Sequence, residues 1–148
     1  MANCDRGVTN AQIYVNASAT GANNGSSWAN AYTSLSAAIT ASSSGNQIWV
    51  AAGTYTPAAS TSFVMKEGVA VYGGFTTSMT LLSQRNPTAN TTTLNGNGKS
   101  VVSFTTITSA TKLDGFTISN GTGTATTGAA AGAVSALLMG YRYFQTWL

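Results

Sequence analysis

The stretch VAVYGGF, Val69 to Phe75, decides how this chain is read. A short apolar alternation runs into two glycines and closes on an aromatic ring. Two readings compete for Gly73-Gly74. A phosphate-binding loop needs a long helix behind it, whose N-terminal N–H groups face the ligand. The residues behind Phe75 are TTSMTLLSQRNP, a poor helix former that stops at Pro87. The pair therefore reads as a corner of the backbone, where glycine supplies a positive φ, with Phe75 packing after the bend.

Segments of the same kind lie on both sides. IYV (Ile13 to Val15), QIWVAAGTY and FVMKEGVAVYGGF read as strands, the last broken at Gly68. TTTLNGNG, SVVSFTTIT and TKLDGFTIS read as further strands, none longer than about six residues. Only one segment changes period. In SSWANAYTSLSAAIT the positions Trp28, Tyr32, Leu35, Ala38 and Ile39 form one helical face, with Ser26 or Ser27 as N-cap and Gly45 beyond the end.

The strands also recur. Val50, Val71, Leu94 and Phe116 each sit in a short apolar alternation near Gly and Thr, separated by 21, 23 and 22 residues. A fixed period in that range predicts a solenoid, in which each turn of chain buries its inner face on the next. Without a helix in every repeat, the solenoid is expected to be a parallel β-helix, with Gly and Asn at the corners.

Composition narrows the setting. The chain has 148 residues, of which 6% are charged, against roughly 25% in an ordinary globular protein. Hydroxyls and amides replace ions at the surface, a pattern of extracellular β-rich proteins. The net charge of +3 comes from scattered cations with no basic run, which argues against nucleic acid as a partner. The one cysteine, Cys4, allows no internal disulfide. No secretory apolar segment is present; either the export signal lies outside this chain or the protein stays inside, and the composition favours the first.

Five segments in order carry a resemblance: IYVNASATGANNGSSWANAYTSLSAAIT, IWVAAGTYTP, GVAVYGGF, SQRNPTANTTTLNGNG and LDGFTISNG. Over Ile13 to Gly121 the chain resembles the N-terminal part of bacterial right-handed parallel β-helix proteins of the pectin-lyase-like superfamily, which are secreted or surface proteins. The resemblance implies an all-β, right-handed parallel β-helix with a short N-terminal capping helix. A cap is physically needed, because the first rung would otherwise expose a strand edge and an apolar interior. The expected organisation is a disordered or tag-like 1–12, a capped β-helix domain over 13–128, and an atypical apolar tail over 129–148. The tail holds Leu137, Leu138, Met139, Tyr141, Tyr143, Phe144, Trp147 and Leu148. It is too short to span a membrane, and is expected to cap the last rung or to drive homodimerisation.

The chain offers little chemistry. It has no histidine, hence no imidazole base or ligand, and one cysteine makes no thiolate cluster; no cofactor or metal is expected. The acids are Asp5, Glu67 and Asp114. Glu67 and Asp114, read as two coils apart, would lie about 10 Å from one another on a shared face, at the upper limit for an inverting glycosidase pair. Both read better as turn residues beside glycine. Polysaccharide lyases of this fold class use a basic residue with acidic Ca²⁺ ligands. Lys66, Arg85, Lys99 and Lys112 are candidate bases, but the acidic cluster is missing. Glu67, Asp114 and Lys112 stay as weak catalytic candidates. Trp49, Tyr55 and Tyr72, with Phe75, are candidates to stack sugars, although alternation sends about half of them inward. A water-ordering threonine face needs Thr-x-Thr on each rung, and no such regularity over four coils is visible. Sequons begin at Asn16, Asn24, Asn90 and Asn120, as expected by chance in so Asn- and Thr-rich a chain.

The expected role is a non-catalytic extracellular or cell-surface scaffold, adhesin-like, that binds carbohydrate or another protein. The alternative is a carbohydrate-active β-helix enzyme, a polysaccharide lyase or glycoside hydrolase, or a remnant of one.

Overall fold

The computed structural model describes residues 11–58, 61–104 and 111–121. The tail 129–148 and the threonine array Thr105 to Thr108 lie outside the described residues, as does almost all of the segment 1–12. Nine strands, one short α-helix and one turn of 3-10 helix (Leu82–Gln84) are described: β1 (Gln12–Val15), α1 (Leu35–Ala41), β2 (Gln47–Ala51), β3 (Gly53–Tyr55), β4 (Phe63–Met65), β5 (Ala70–Phe75), β6 (Thr92–Lys99), β7 (Val102–Phe104), β8 (Lys112–Asp114) and β9 (Thr117–Gly121). All ladders among them are parallel.

The strands form three sheets, in the orders β1-β2-β5-β8, β3-β6-β9 and β4-β7. From β2 onward the chain visits the first, second and third sheets in turn, repeats that cycle through β7, and starts again with β8 and β9. Consecutive strands therefore never pair, except β1 with β2 across α1, and each ladder joins segments from successive passes of the chain.

Alternation explains the packing. Ile48, Val71 and Leu113 are register partners across β2, β5 and β8, and all are buried. Tyr55, Leu94 and Ile118 are partners across β3, β6 and β9. Phe63 pairs with Val102, and Met65 with Phe104. These rows meet in one core with Val15, Leu35 and Phe116. Two interior hydroxyls are paired across the passes: Thr92 Oγ1 accepts from Gly74 N at 2.9 Å, and Thr111 Oγ1 accepts from Gly68 N at 2.9 Å.

Four sequence expectations need correction. First, Val50, Val71, Leu94 and Phe116 do share the core, but they are not equivalent positions. Val71 lies in the first sheet and Leu94 in the second, because residues 76–91 are inserted between β5 and β6 and break the period. Second, Gly73-Gly74 is not a corner. The register passes from Trp49↔Tyr72 to Ala51↔Phe75, so both glycines oppose Val50 inside β5. The pair is a β-bulge, with Gly74 at φ 92. Third, β6 runs for 8 residues, beyond the expected six, because its far end carries an Asn-Gly turn with Asn97 at φ 47 and Gly98 at φ 75.

Fourth, the helix begins later than the stripe Trp28 to Ile39 suggests. Asn23 Oδ1 accepts from Thr33 N at 2.8 Å and Asn30 Oδ1 from Ala22 N at 2.9 Å. Such amide-to-backbone bonds compete with helix. Tyr32 is bridged in parallel to Val15 instead. Ser34, not Ser26 or Ser27, is the N-cap, accepting from Ala37 N. Leu35, Ala38 and Ile39 are buried, and Lys66 Nζ donates to the carbonyls of Thr40 and Ser42 at 2.7 Å each. That charge faces the negative end of α1.

Candidate functional site

The first sheet is covered on both faces. Its outer face carries Tyr14 on β1, Trp49 on β2 and Tyr72 on β5, in register with one another. Trp28 and the inserted segment 76–91 close over these rings, with Met79 and Leu82 packed against them. Trp49 stacks on Phe75 with centroids 4.7 Å apart and planes at 10°. Tyr14 meets Trp28 edge-on at 4.8 Å, and Trp28 Nε1 donates to Met79 O at 2.7 Å. This second cluster is not among the sequence expectations, although the residues signal it. Tyr14, Trp49 and Tyr72 occupy the outward positions beside Ile13, Ile48 and Val71, and a sheet apolar on both faces is covered on both.

The inserted segment ends in the one ion pair among the described residues. Arg85 Nη2 binds Asp114 Oδ2, and the two side chains are 19% and 23% exposed. Arg85 Nη1 donates to Gly73 O at 3.4 Å, and its guanidinium carbon lies 5.1 Å from the centre of the Tyr72 ring. Asp114 stands directly opposite Tyr72 in the β5–β8 ladder. Arg85 thus fastens the segment to the bulge of β5 and to the edge strand β8. Beside it, Leu81, Leu82, Ser83 and Arg85 line a shallow, open depression of about 580 Å³. Leu81 is 58% exposed. The arrangement offers a half-buried, neutralised guanidinium next to two leucines.

The candidate catalytic residues do not converge. Asp114 is held by Arg85. Lys112 is half-buried on β8, opposite Ala70. Glu67 is exposed in the turn before β5. The register corrects their expected relation: Glu67 and Asp114 belong to neighbouring passes, not second neighbours, and lie toward opposite ends of the β5–β8 ladder. Of the four candidate bases, Lys66 caps α1 and Arg85 binds Asp114. Among the described residues no group of three or more metal-ligating side chains comes together, and no helix is long and apolar enough to cross a membrane.

The candidate stacking residues are placed inside, which corrects the ligand-binding expectation. Trp49, Tyr55 and Tyr72 are 1%, 3% and 9% exposed, and Phe75 is fully buried; a sugar ring needs an open aromatic face. Tyr55 instead ties the loop after β1 to the core. Its hydroxyl donates to Ala51 O at 3.0 Å and accepts from Ala17 N at 3.4 Å. Burial pushes its pKa above 10.0, opposed by the Ala17 N–H, which favours the phenolate. The neutral phenol therefore contributes stability that is intact below the unfolded pKa and is lost as pH rises through the higher folded value. Urea denaturation is expected to show a loss of stability above about pH 10 that is smaller in Tyr55→Phe. Equal loss in both proteins contradicts this role for Tyr55.

A family model described as a protein of unknown function (DUF1565) matches residues 17–137. No curated protein and no solved structure matches the chain.

Proposed function

The chain belongs to the DUF1565 family, and from that premise we propose that it is a right-handed parallel β-helix module serving as a non-catalytic, extracellular or cell-surface scaffold that binds carbohydrate or another protein. The family is of parallel β-helix type. The strand order supports the same reading, since the chain cycles through three parallel sheets in a constant sequence. The right hand follows from the general preference of parallel crossovers. In this reading α1, Tyr32 and the loop before them seal the first rung.

The observation that carries the non-catalytic role is the Arg85–Asp114 pair. A carboxylate that works as an acid or nucleophile must face the scissile bond. Asp114 faces a guanidinium that anchors the inserted segment, so its charge is engaged in holding the fold. The extracellular setting rests on the low charge content.

The test is incubation of the protein with a panel of neutral and uronate polysaccharides. The expected result is retention on an insoluble glycan or a protein ligand, with no new reducing ends and no unsaturated-uronate absorbance. Turnover abolished by Asp114→Ala or Glu67→Ala overturns the scaffold reading in favour of a lyase or hydrolase. In the same series Asp114→Ala is expected to cost about 1 kcal/mol in urea denaturation, because the pair is partly solvent-screened. Unchanged stability contradicts the anchoring role.

A further inference from the structure

The chain holds four Asn-Gly pairs, beginning at Asn24, Asn95, Asn97 and Asn120. Asparagine is chemically labile, and most so before glycine, where no side chain shields the next backbone nitrogen. Along the sequence the four pairs look alike; the fold separates them. Asn24 Oδ1 accepts from Ser26 N at 3.1 Å and from Ser26 Oγ at 2.7 Å, which fixes its carboxamide. Gly25 behind it is buried, and a β-carbon built there would stand 2.8 Å from Ile13 and from Tyr32. Asn95 Oδ1 accepts from Asn97 N at 2.9 Å. Gly96 is buried, and its added β-carbon would meet Lys99 O at 2.6 Å. Gly121, after Asn120, pairs with Lys99 in the β6–β9 ladder, and its added β-carbon would meet Val101 Cγ2 at 2.6 Å. Asn97 and Gly98 differ. Both are exposed, as are Lys99 and Ser100, and among the described residues nothing lies within 4 Å of a β-carbon built on Gly98. The backbone around Gly98 therefore has room to turn.

We propose that Asn97 is a site of spontaneous deamidation, where the folded protein modifies itself faster than at its other Asn-Gly pairs. The Gly98 nitrogen gives its proton to a solvent base and attacks Cγ of Asn97. A new C–N bond forms as the bond from Cγ to Nδ2 breaks, and the amide nitrogen leaves as ammonia with a proton from water. The cyclic imide then takes up one water at either of its carbonyl carbons. One opening gives aspartate; the other gives isoaspartate, with the main chain running through Cγ. Nothing is oxidised or reduced, and water is the one co-reactant. Either product lowers the net charge of +3 by one. The isoaspartyl form also adds the β-carbon to the backbone between the paired rows Asn95↔Ser119 and Lys99↔Gly121, so the outer row is expected to come apart. The site is a one-way chemical timer at the end of β6, independent of the scaffold reading and of the glycan panel that tests it.

The test is incubation of the full chain in mildly alkaline buffer, folded and in urea, with each asparagine followed by peptide mass spectrometry and isoaspartate counted by enzymatic methylation. In the folded protein Asn97 is expected to convert at least about tenfold faster than Asn24, Asn95 and Asn120, where reaction waits on local opening. In urea the four rates are expected to converge. Gly98→Ala and Asn97→Gln are each expected to remove the fast conversion, and Asn97→Gln serves if Gly98→Ala folds poorly. Amide hydrogen exchange at Lys99 and Gly121 is expected to quicken in the isoaspartyl protein; unchanged exchange overturns the loss of the outer row. The proposal itself is overturned if Asn97 of the folded chain stays intact or converts no faster than the other three, or if the fast conversion survives in Asn97→Gln.

Discussion

Gly73→Ala is expected to destabilise the fold by about 3 kcal/mol or more, a large share of a small domain's stability. A β-carbon at this position would stand 2.5 Å from the carbonyl oxygen of Gly115 and 3.1 Å from Thr92 Cβ. The closer atom is backbone, and it cannot swing aside as a side chain would. Gly115 is itself held at φ 81, with Pro87 and Arg85 packed against it. The bulge is also a junction. Gly74 N donates to Thr92 Oγ1 at 2.9 Å, and Gly74 O accepts from Asn86 N at 2.8 Å. A shift there disturbs β5, β6, β8 and the inserted segment together.

Gly98→Ala makes the useful comparison. Gly98 also has a positive φ, 75, but among the described residues nothing lies within 4 Å of its added β-carbon. Only the left-handed conformation resists substitution there, at about 1 kcal/mol. Urea denaturation of both variants separates the two effects. A Gly73→Ala loss no larger than that of Gly98→Ala would mean that the β5 bulge yields, and that the close approach to Gly115 is not a constraint.

The second large effect is expected from Trp49→Ala, at about 3–5 kcal/mol. Trp49 is 1% exposed and makes the parallel stack with Phe75 and an edge contact with Tyr14 at 5.9 Å. Its Nε1 donates to Gln47 Oε1 at 3.1 Å. Removing the ring leaves a cavity under Trp28, Met79 and Leu82 and loosens the cover over the first sheet. The measurements are the urea midpoint, near-ultraviolet circular dichroism and the rate of proteolysis within 76–91. All three are expected to change together. A loss below about 1 kcal/mol, typical of a surface site, would mean that the outer aromatic cluster is not a second core.

Much of the architecture is legible in the residues themselves. Val, Ile and Thr in short alternating runs mark the strands, and Gly68, at φ 70, separates β4 from β5 where the sequence suggests. Parallel pairing follows from recurrence without hairpin turns. The stripe at Trp28 and Tyr32 misleads because apolar spacing alone cannot register the competing asparagine bonds that hold those residues extended. Likewise Gly73-Gly74 reads along the chain as a corner, and the bulge inside β5 that replaces it depends on the nearness of Gly115, between β8 and β9 and far along the chain.

The candidate site divides in the same way. The scarcity of acids, the lack of histidine and the single cysteine restrict catalysis directly, because they are facts of composition. The partners of the remaining groups are not: Asp114 finds Arg85 only because the 76–91 insertion folds back over β5 and β8. The four Asn-Gly pairs are told apart only by what packs around each glycine.

By itself the sequence determined that this is a β protein of short parallel segments, broken at glycines and poor in ionisable chemistry. Propensity, alternation and φ preference act within a few residues of chain. Tertiary structure alone decided which residues stand side by side, since register couples segments whose separation in sequence varies with every insertion. It turned the predicted sugar-stacking rings inward, paired the lone described aspartate, and left the Asn97-Gly98 pair in the open.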